Sequence, residues 1–428
     1  MNSGDTAWML ISSGLVFLMT PAVAFFYGGM VRAKAVLHMM MLSVGAIAVV
    51  ALAWAACGWS IAYAGKSVGG VFGNPFTGAF FHDVIAVKDG VYTSSADTGT
   101  GAYPVTVDAF FQMTFAIITV ALISGALAER VKFSTWLVFT LLWVIFDYAP
   151  MAHMVWNKGL LSADGAISKF FGVPAHDFAG GTVVHINAAI AALVVAMIVG
   201  RRKGFGAAAF KPHNVPFVLL GAFLLWFGWF GFNGGSAFAA NGTAAYAIIT
   251  TTLCAGAATL GWLLVEKIRT KHATPVGAAS GMVAGLVGIT SSADVVSPLA
   301  SIIIGLIVGA VCCVAISVKF KLGIDDSLDV VGVHGGGGVL GTVFVGVFSA
   351  GSGLVTHGDF RLALVQIIIA LIAIIFSAAV TFAIAFALEK TMGWRSSTYA
   401  EITGIDVVQH GERSYDFTST SLSIGRHA

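Results

Sequence analysis

The chain has 428 residues, of which 58% are hydrophobic and only 10% are charged, whereas soluble domains carry about 25% charged residues. Lys and Arg total 22 and Asp and Glu total 20, so the net charge of +2 lacks the basic excess of a nucleic-acid-binding protein. This composition also excludes disorder, which needs low hydrophobicity and high charge, and it predicts an all-α polytopic membrane protein.

Intervals without charged residues predict the spanning helices, because a helix needs about 20 apolar residues to cross a bilayer. In chain order these intervals are 6–31, 35–65, 109–128, 133–146, 178–200, 212–265, 272–293, 295–318, 330–358 and 362–388. The fourth continues past Asp147 to about Met154, and the sixth breaks at a turn signal at 240–243. The sequence therefore predicts eleven transmembrane helices, with long loops at 65–107 and 157–176.

The predicted domain organisation is one membrane domain followed by a polar tail. The membrane domain covers 1–390, with helices one to five at about 7–200, six to ten at about 215–352 and eleven at about 360–390, and the tail covers 391–428. The four cysteines lie in apolar stretches without metal-ligand spacing. Because the spans contain no nucleophile–base pair either, we expect no enzyme activity, no cofactor and no metal.

The distribution of basic residues predicts the orientation of the helices. Loops after the odd-numbered helices, with the tail, hold 17 of the Lys and Arg residues, and the other side holds the remaining five of 22. The positive-inside rule then places the N-terminus outside and the C-terminus inside. Only Asp5 is charged before the first apolar run, whereas a secretory signal has a basic leading segment, so we expect helix one to be retained.

Two matches between the halves of the chain indicate an internal repeat. Helix one contains the segment AFFYGG and helix six the segment WFGFNGG. Helix five opens with Asp177 and carries His185, and helix ten opens with Asp329 and carries His334. Chance similarity of Gly- and Phe-rich helices is the alternative. The matches predict an inverted repeat of five plus five helices plus one, with a substrate path near the pseudo-symmetry axis.

Few ionisable residues lie in or beside the spans, where a charge at the bilayer centre costs about 2.5–3.5 kcal/mol. Asp177 and Asp329 are expected to cap the free N–H groups at the starts of their helices. Asp147 lies near the outer end of helix four, where we expect water to reach it. Glu129 and Arg130 end helix three and are expected to have structural roles.

His185 and His334 are the two histidines well inside apolar spans. At equivalent places in an inverted repeat they would face each other, share a proton and line a narrow path, since neutral imidazole has one donor and one acceptor nitrogen. Hydrogen bonding between helices is an alternative role. A metal site is disfavoured, because no Cys, Asp or Glu accompanies either histidine in its stretch of helix.

Aromatic residues with helical spacing predict a binding site for a small cation. They are Phe111 and Phe115 on helix three, Trp229 and Phe232 on helix six beside Ser236, and Trp156 at the end of helix four. Residues three or four apart share a helix face, and a cation over such rings gains about 0.5–2 kcal/mol. For Trp156, a place in the interfacial aromatic belt is the alternative.

At these residues the sequence resembles the ammonium transporter family, of the bacterial Amt type, which is related to methylammonium permeases and Rhesus proteins. The motifs that carry the resemblance are AFFYGG (24–29), GALAER (125–130), AHMVW (152–156), DFAGGTVVHINAA (177–189), GWFGFN (228–233), DVVGVHG (329–335) and HGE (410–412). They cover nearly the whole chain. One departure is the glycine run 335–338 after the second histidine, which could change helix packing or pore width there.

The resemblance implies a role for each matching residue. Phe111, Phe115, Trp156 and Ser236 match the outer ammonium recruitment site, Phe115 and Phe232 the stacked gate, His185 and His334 the twin-histidine pair, and Asp177 the acidic residue that supports the recruitment site. It also implies a homotrimer in the plasma membrane, one pore per subunit, and a PII-type regulatory partner for the tail, with no nucleic-acid partner.

The function implied by this resemblance is ammonium transport. Ammonium would bind at the aromatic site, lose a proton and cross as ammonia, with or without a proton relayed by the histidines. Two alternatives stay open: an ammonium sensor with little transport, and a Rhesus-like gas channel. Flux in liposomes separates transport from sensing, and the pattern of Trp156 and Ser236 disfavours the gas channel.

Overall fold

The protein is a bundle of long helices in a computed structural model that describes residues 1–98, 103–207 and 210–415. The long helices are α1 (Ser3–Met30), α2 (Val36–Ala64), α3 (Val105–Leu127), α4 (Phe133–Trp156), α5 (Gly181–Val199), α6 (Val215–Gly235), α7 (Gly242–Thr270), α8 (Pro275–Ile289), α9 (Pro298–Leu322), α10 (Val331–Phe348) and α11 (Arg361–Thr391). Within the described residues, ten are long and apolar enough to span a membrane, and α8 is apolar but shorter. The predicted all-α membrane fold is confirmed, while the count of eleven spans and the orientation stay predictions.

Helices α1 and α6 pack together in opposite directions, as the inverted repeat predicts. Where they cross, α6 presents Gly221, Gly228, Gly231 and Gly235 to α1. A Cβ atom added at Gly221 would lie 2.7 Å from Phe26 Cα, and one added at Gly235 would lie 2.7 Å from Ser12 Cβ. Small residues on one face let helix backbones approach closely in membranes, so these glycines fix the central helix pair.

Short elements fill the loops at the ends of the bundle. Strand β1 (Ser67–Val68) pairs with β2 (Phe72–Gly73), and β3 (Ile85–Lys88) pairs with β4 (Val91–Ser94), both antiparallel. Short helical segments lie at Ala79–Phe81, Ala166–Phe171, Leu354–His357, Thr398–Thr403 and Ile405–His410. The two loops predicted to be long therefore contain two hairpins and two short helical segments, and they cover one end of the bundle.

The tail is packed against the opposite end of the bundle. The Ser396 N–H donates to the Arg130 carbonyl oxygen at 2.8 Å. The Asp406 carboxylate accepts hydrogen bonds from the backbone N–H groups of Leu37 and His38, at 3.1 and 2.8 Å. These bonds cap the start of α2 and hold the tail in place as far as residue 415. The rest of the predicted tail, 416–428, lies outside the described residues.

A buried ionic cluster joins the loops at the tail end. The Arg202 guanidinium and backbone N–H donate three hydrogen bonds of 2.8–2.9 Å to the Asp325 carboxylate. Arg130 is fully buried, and its guanidinium donates to the Gly200 and Asp325 carbonyl oxygens. The neighbouring Glu129 carboxylate accepts hydrogen bonds from Arg32. Both residues that end helix three therefore act as links between loops.

The environment of Asp147 differs from the prediction. This residue is 0% exposed and lies in the π-helical turn Val144–Tyr148 of α4. The Thr381 hydroxyl of α11 donates to its carboxyl at 3.4 Å, and the Trp143 indole N–H donates to the same hydroxyl at 2.9 Å. The expected contact with water is wrong because α11, the helix outside the repeat, covers this part of α4.

The prediction that Asp329 caps α10 is also wrong, because Asp326 is the capping residue. The backbone N–H groups of Val330 and Val331 donate to the Asp326 carboxylate at 2.9 and 2.8 Å. Asp329 instead bonds to the Lys319 ammonium, and its φ of 65° is in the left-handed region. The chain turns at Asp329, so the carboxylate three residues earlier reaches the helix start.

Candidate functional site

Three aromatic rings from α3 and α4 form a cluster near one end of the bundle. Phe111 and Phe115 are buried one turn apart on α3, with ring centres 4.9 Å apart. The Trp156 ring meets Phe115 edge-on at 5.9 Å between centres. Unlike the two phenylalanines, Trp156 is partly exposed. Its indole thus lies on the open side of the cluster.

The Ser236 hydroxyl, just after the last residue of α6, is available as a hydrogen-bond acceptor. It donates its hydrogen to the Phe232 carbonyl oxygen at 2.8 Å. A hydroxyl has one donor hydrogen and two acceptor lone pairs. Because the hydrogen is committed to the backbone, the oxygen can accept a hydrogen bond from a ligand that carries N–H groups.

Asp177 contacts Trp156 through its backbone and the start of α5 through its side chain. The Trp156 indole N–H donates to the Asp177 carbonyl oxygen at 2.9 Å. The Asp177 carboxylate accepts hydrogen bonds from the N–H groups of Gly180, Gly181 and Thr182, at 2.9, 2.7 and 2.9 Å. The predicted cap at the start of α5 is therefore present, and it occupies the carboxylate with backbone N–H groups.

Phe115 and Phe232 form a stacked pair next to the aromatic cluster. Their rings are stacked with centres 4.2 Å apart and planes inclined by 28°. Both side chains are almost completely buried, at 1% and 0% exposed. Stacked rings at this separation leave no space between them for another group.

His185 and His334 meet below Phe232. Their Nδ1 atoms are 3.3 Å apart and the rings are stacked with centres 5.4 Å apart. A hydrogen bond between two neutral imidazoles requires one Nδ1 to carry the hydrogen and the other to accept it. The ring with a hydrogen on Nδ1 then has a bare Nε2, and the ring with a bare Nδ1 carries its hydrogen on Nε2. The pair therefore presents one Nε2–H donor and one bare Nε2 acceptor.

Each histidine lies in a π-helical turn at the start of its helix. His185 is in the turn Gly181–Ile186 of α5, and His334 is in the turn Val331–Gly335 of α10. Single π turns inside helices are rare and are frequent at functional sites. The equivalent distortion of both helices supports the predicted repeat. The residue pattern gave no indication of these turns, since they depend on where the backbone hydrogen bonds form.

Trp229, which the sequence placed among the aromatic residues of the cation-binding site, lies against the histidine pair. Its ring stacks on His185 with centres 5.5 Å apart and a 19° angle, and it also packs against Phe232 at 5.2 Å. The Trp229 indole N–H donates to the Thr290 hydroxyl at 2.9 Å. Its position three residues before Phe232 was the available signal, because such residues share a helix face.

A narrow apolar cavity surrounds the histidine pair. Besides the histidines, its walls include Tyr27, Ile118, Leu225 and Trp229. The centre of a water-sized molecule can occupy only about 10 Å³ in it, close to the minimum for one water. Within the described ranges, no group of three or more His, Cys, Asp or Glu side chains could hold a metal ion.

The glycine run after His334 lets α10 approach α5. A Cβ atom added at Gly338 would lie 3.1 Å from the Cβ of His185, and one added at Gly335 would lie 3.2 Å from that of Ala189. The run therefore determines how closely the two histidine-bearing helices pack, which is the kind of effect that the sequence predicted for it.

Known proteins resemble this chain over most of its length. The family described as Ammonium Transporter Family matches residues 7–415. An ammonium transporter of Mycobacterium tuberculosis is 47% identical over 99% of this chain and 92% of its own length. The crystal structure of Candida albicans Mep2 superimposes with a TM-score of 0.83 at 30% identity, covering 93% of this chain and 87% of that one. A protein described as a sensor Amt protein has a TM-score of 0.85 at 28% identity, covering 95% and 98%.

Proposed function

Because the chain belongs to the ammonium transporter family, we propose that this multi-pass membrane protein recruits ammonium at the aromatic cluster and conducts ammonia along the histidine pair. The observation that carries the proposal is a continuous series of stacked rings. Phe115 contacts Phe232, Phe232 contacts His185, and His185 contacts His334. The series begins at a site suited to a cation and ends in a narrow, apolar cavity suited to a neutral molecule.

Recruitment uses the two properties of ammonium that the site can recognise, its charge and its N–H groups. Contact with the rings of Phe111, Phe115 and Trp156 contributes about 0.5–2 kcal/mol, depending on how far the ion is desolvated. Ser236 accepts a hydrogen bond from the ion, since its own hydrogen is donated to the Phe232 carbonyl oxygen. Potassium has a similar charge and size but has no hydrogen to donate.

Passage below the gate requires loss of the positive charge. A charged group deep in a bilayer costs about 2.5–3.5 kcal/mol on insertion scales and more in simulations, and the cavity around the histidines has room for about one water. An N–H bond of ammonium therefore breaks with its electron pair left on nitrogen. The proton goes either to water at the cluster or to the bare Nε2 of the histidine pair.

The proposal includes the assembly and location that the family resemblance implies. The protein is a homotrimer in the plasma membrane, with one pore per subunit and the tail on the cytoplasmic side, where a PII-type protein binds. The position of the tail supports this arrangement, because it is docked at the end that carries Arg130 and Arg202. The masses of the purified protein alone and mixed with a PII protein test both parts.

The decisive experiment applies ammonium and then potassium pulses to the purified protein in liposomes. Current is recorded on a solid-supported membrane, and a trapped dye reports internal pH. We expect a response to ammonium and none to potassium. Current means that the proton also crosses, and internal alkalinisation without current means that ammonia crosses alone.

The variants compared are His185→Ala, which removes half of the histidine pair, and His357→Ala, which removes an exposed histidine. The first should lose flux or selectivity against potassium, and the second should behave as the wild type. Unchanged flux and selectivity in His185→Ala would disprove the role of the pair. No response to ammonium in the wild type would favour the sensor function. The structural likeness to a sensor Amt protein is the observation that supports this alternative.

A further inference from the structure

We propose that His176 and Asp294 form a proton-binding pair beside the aromatic cluster and that its protonation lowers the affinity for ammonium. The proposal rests on the function proposed above and adds a residue pair that sets the affinity of its recruitment site. The deprotonated pair carries one negative charge and attracts ammonium, whereas the protonated pair is neutral.

The geometry of the pair is that of a histidine–carboxylate ion pair reached by water. The His176 Nε2 lies 2.8 Å from the Asp294 Oδ1, and the two side chains are 30% and 15% exposed. Asp294 lies in the turn after α8, between Ile289 and Pro298. That turn is fixed to the segment before α5, because Phe178 and Ala179 donate backbone hydrogen bonds to carbonyl oxygens of 290 and 291.

His176 is held close to the aromatic cluster by its backbone. The next residue, Asp177, has the carbonyl oxygen that accepts the Trp156 indole N–H. One side chain of α11, Gln366, bonds both backbone groups of His176, accepting from its N–H at 3.1 Å and donating to its carbonyl oxygen at 2.6 Å. His176 is one residue, or 3.8 Å between Cα atoms, from the residue that is bonded to Trp156. Adding the lengths of the side chains puts the imidazole roughly 10 Å from the Trp156 side of the cluster.

The charged groups that act on His176 are Asp294 across the pair and Asp177 on its own segment, while α11 contributes the neutral Gln366. Partial burial opposes the charged imidazolium, but the hydrogen bond and the negative charge of Asp294 outweigh it and raise the pKa of His176 above its usual value. Histidine ordinarily titrates near pH 6.5. The pair therefore changes charge at a higher pH than an ordinary histidine does.

The size of the effect follows from Coulomb's law. One unit charge at roughly 10 Å in a medium of effective dielectric constant about 40–80 changes the binding of a monovalent cation about two- to fourfold. The KM for ammonium should therefore rise two- to fourfold as the external pH falls through the His176 pKa. Because the Debye length is about 8 Å at physiological ionic strength, added salt should weaken this dependence.

The experiment measures the KM for ammonium in liposomes from about pH 5.5 to pH 8, where ammonium is almost entirely protonated and its concentration does not vary. His176→Gln keeps a donor for Asp294 but leaves one negative charge at every pH, so its KM should stay at the low alkaline value. His176→Lys keeps the pair neutral, so its KM should stay at the high acidic value. His357→Gln removes an exposed histidine elsewhere and should titrate as the wild type does.

Three further measurements complete the design. Asp294→Asn should raise the KM throughout and move its midpoint to lower pH, because His176 loses the carboxylate that raises its pKa. The maximal rate of His176→Gln should equal that of the wild type at each pH. A pH dependence of KM that persists in His176→Gln, or a flat KM in the wild type, overturns the pair while leaving ammonium transport intact. Absence of any ammonium flux in the wild type would instead overturn the proposed function.

Discussion

Replacing Gly338 by Ala should displace His185 from His334 without unfolding the bundle. The new Cβ would lie 3.1 Å from the His185 Cβ and 3.2 Å from the Gly181 carbonyl oxygen, whereas carbon atoms in contact are normally 3.5–4.0 Å apart. The helices must therefore separate by about 0.5 Å. Since the two Nδ1 atoms are already 3.3 Å apart, that shift carries them beyond hydrogen-bond distance.

The expected loss of flux is about tenfold, because a displacement of 1 Å at a reacting centre can cost about a hundredfold. Stability should change little. Overpacking costs about 1–3 kcal/mol, and replacing glycine in a helix offsets about 0.8–1 kcal/mol of that cost. Initial ammonium flux in liposomes and the thermal midpoint in detergent measure the two effects separately.

Gly336→Ala is the matched control on the same helix. A Cβ there meets only the Cys312 sulfur, at 3.4 Å, which is close to an ordinary contact. This variant should keep wild-type flux and gain up to about 1 kcal/mol of stability from the better helix former. If both variants keep full flux, the close approach of α10 to α5 does not determine the histidine contact, and the reasoning is refuted. Equal losses in both would point to a general effect of the glycine run instead.

Two other changes test the cluster and the scaffold. Ser236→Ala should raise the KM for ammonium about fivefold at an unchanged maximal rate, since one hydrogen bond contributes about 1 kcal/mol; an unchanged KM in the liposome assay would remove the hydroxyl from the site. Asp325→Asn should destabilise the fold by about 3–5 kcal/mol, because it leaves the buried Arg202 guanidinium without its counter-charge. Burial favours the neutral acid, but the Arg202 hydrogen bonds and the Arg130 charge outweigh it and lower the pKa of Asp325. The carboxylate thus contributes stability above its unfolded-state pKa and loses it only as the pH falls through the lower folded-state value. Thermal midpoints of wild type and variant measured against pH should converge at strongly acidic pH, and a constant difference would contradict this account.

The bundle was largely predictable because each span is a long apolar interval bounded by charges. The predicted break at 240–243 spans the start of α7, which begins at Gly242 after α6 ends at Gly235, and the predicted interval 362–388 lies within α11. The sequence could not show which helix covers which. Asp147 was expected to meet water because of its position along α4, but its exposure depends on α11, more than 200 residues later.

Details at helix starts were less predictable, since they depend on the backbone path. Three carboxylates lie within residues 325–329, and the charge-free interval indicated the last of them as the cap. The turn at Asp329 gives that role to Asp326. The aromatic residues were found because their spacing places them on shared helix faces, and the histidines because each lies inside an apolar span at an equivalent place in the repeat. The π turns that contain His185 and His334 left no trace in those patterns.

The order of the rings along the path gives a physical basis for the selectivity that we propose. Rings and a hydroxyl acceptor come first, where a cation is still partly hydrated, because Trp156 is partly exposed. The Phe115–Phe232 stack comes next, followed by the histidine pair in a cavity with room for about one water. An ion that can release a proton avoids the cost of carrying charge into that cavity, whereas potassium would carry its full charge throughout. The aromatic rings alone would not separate the two ions strongly, since ring contacts act on charge, and one hydrogen bond to Ser236 adds only about 1 kcal/mol. Most of the discrimination therefore has to arise at the step where ammonium becomes neutral.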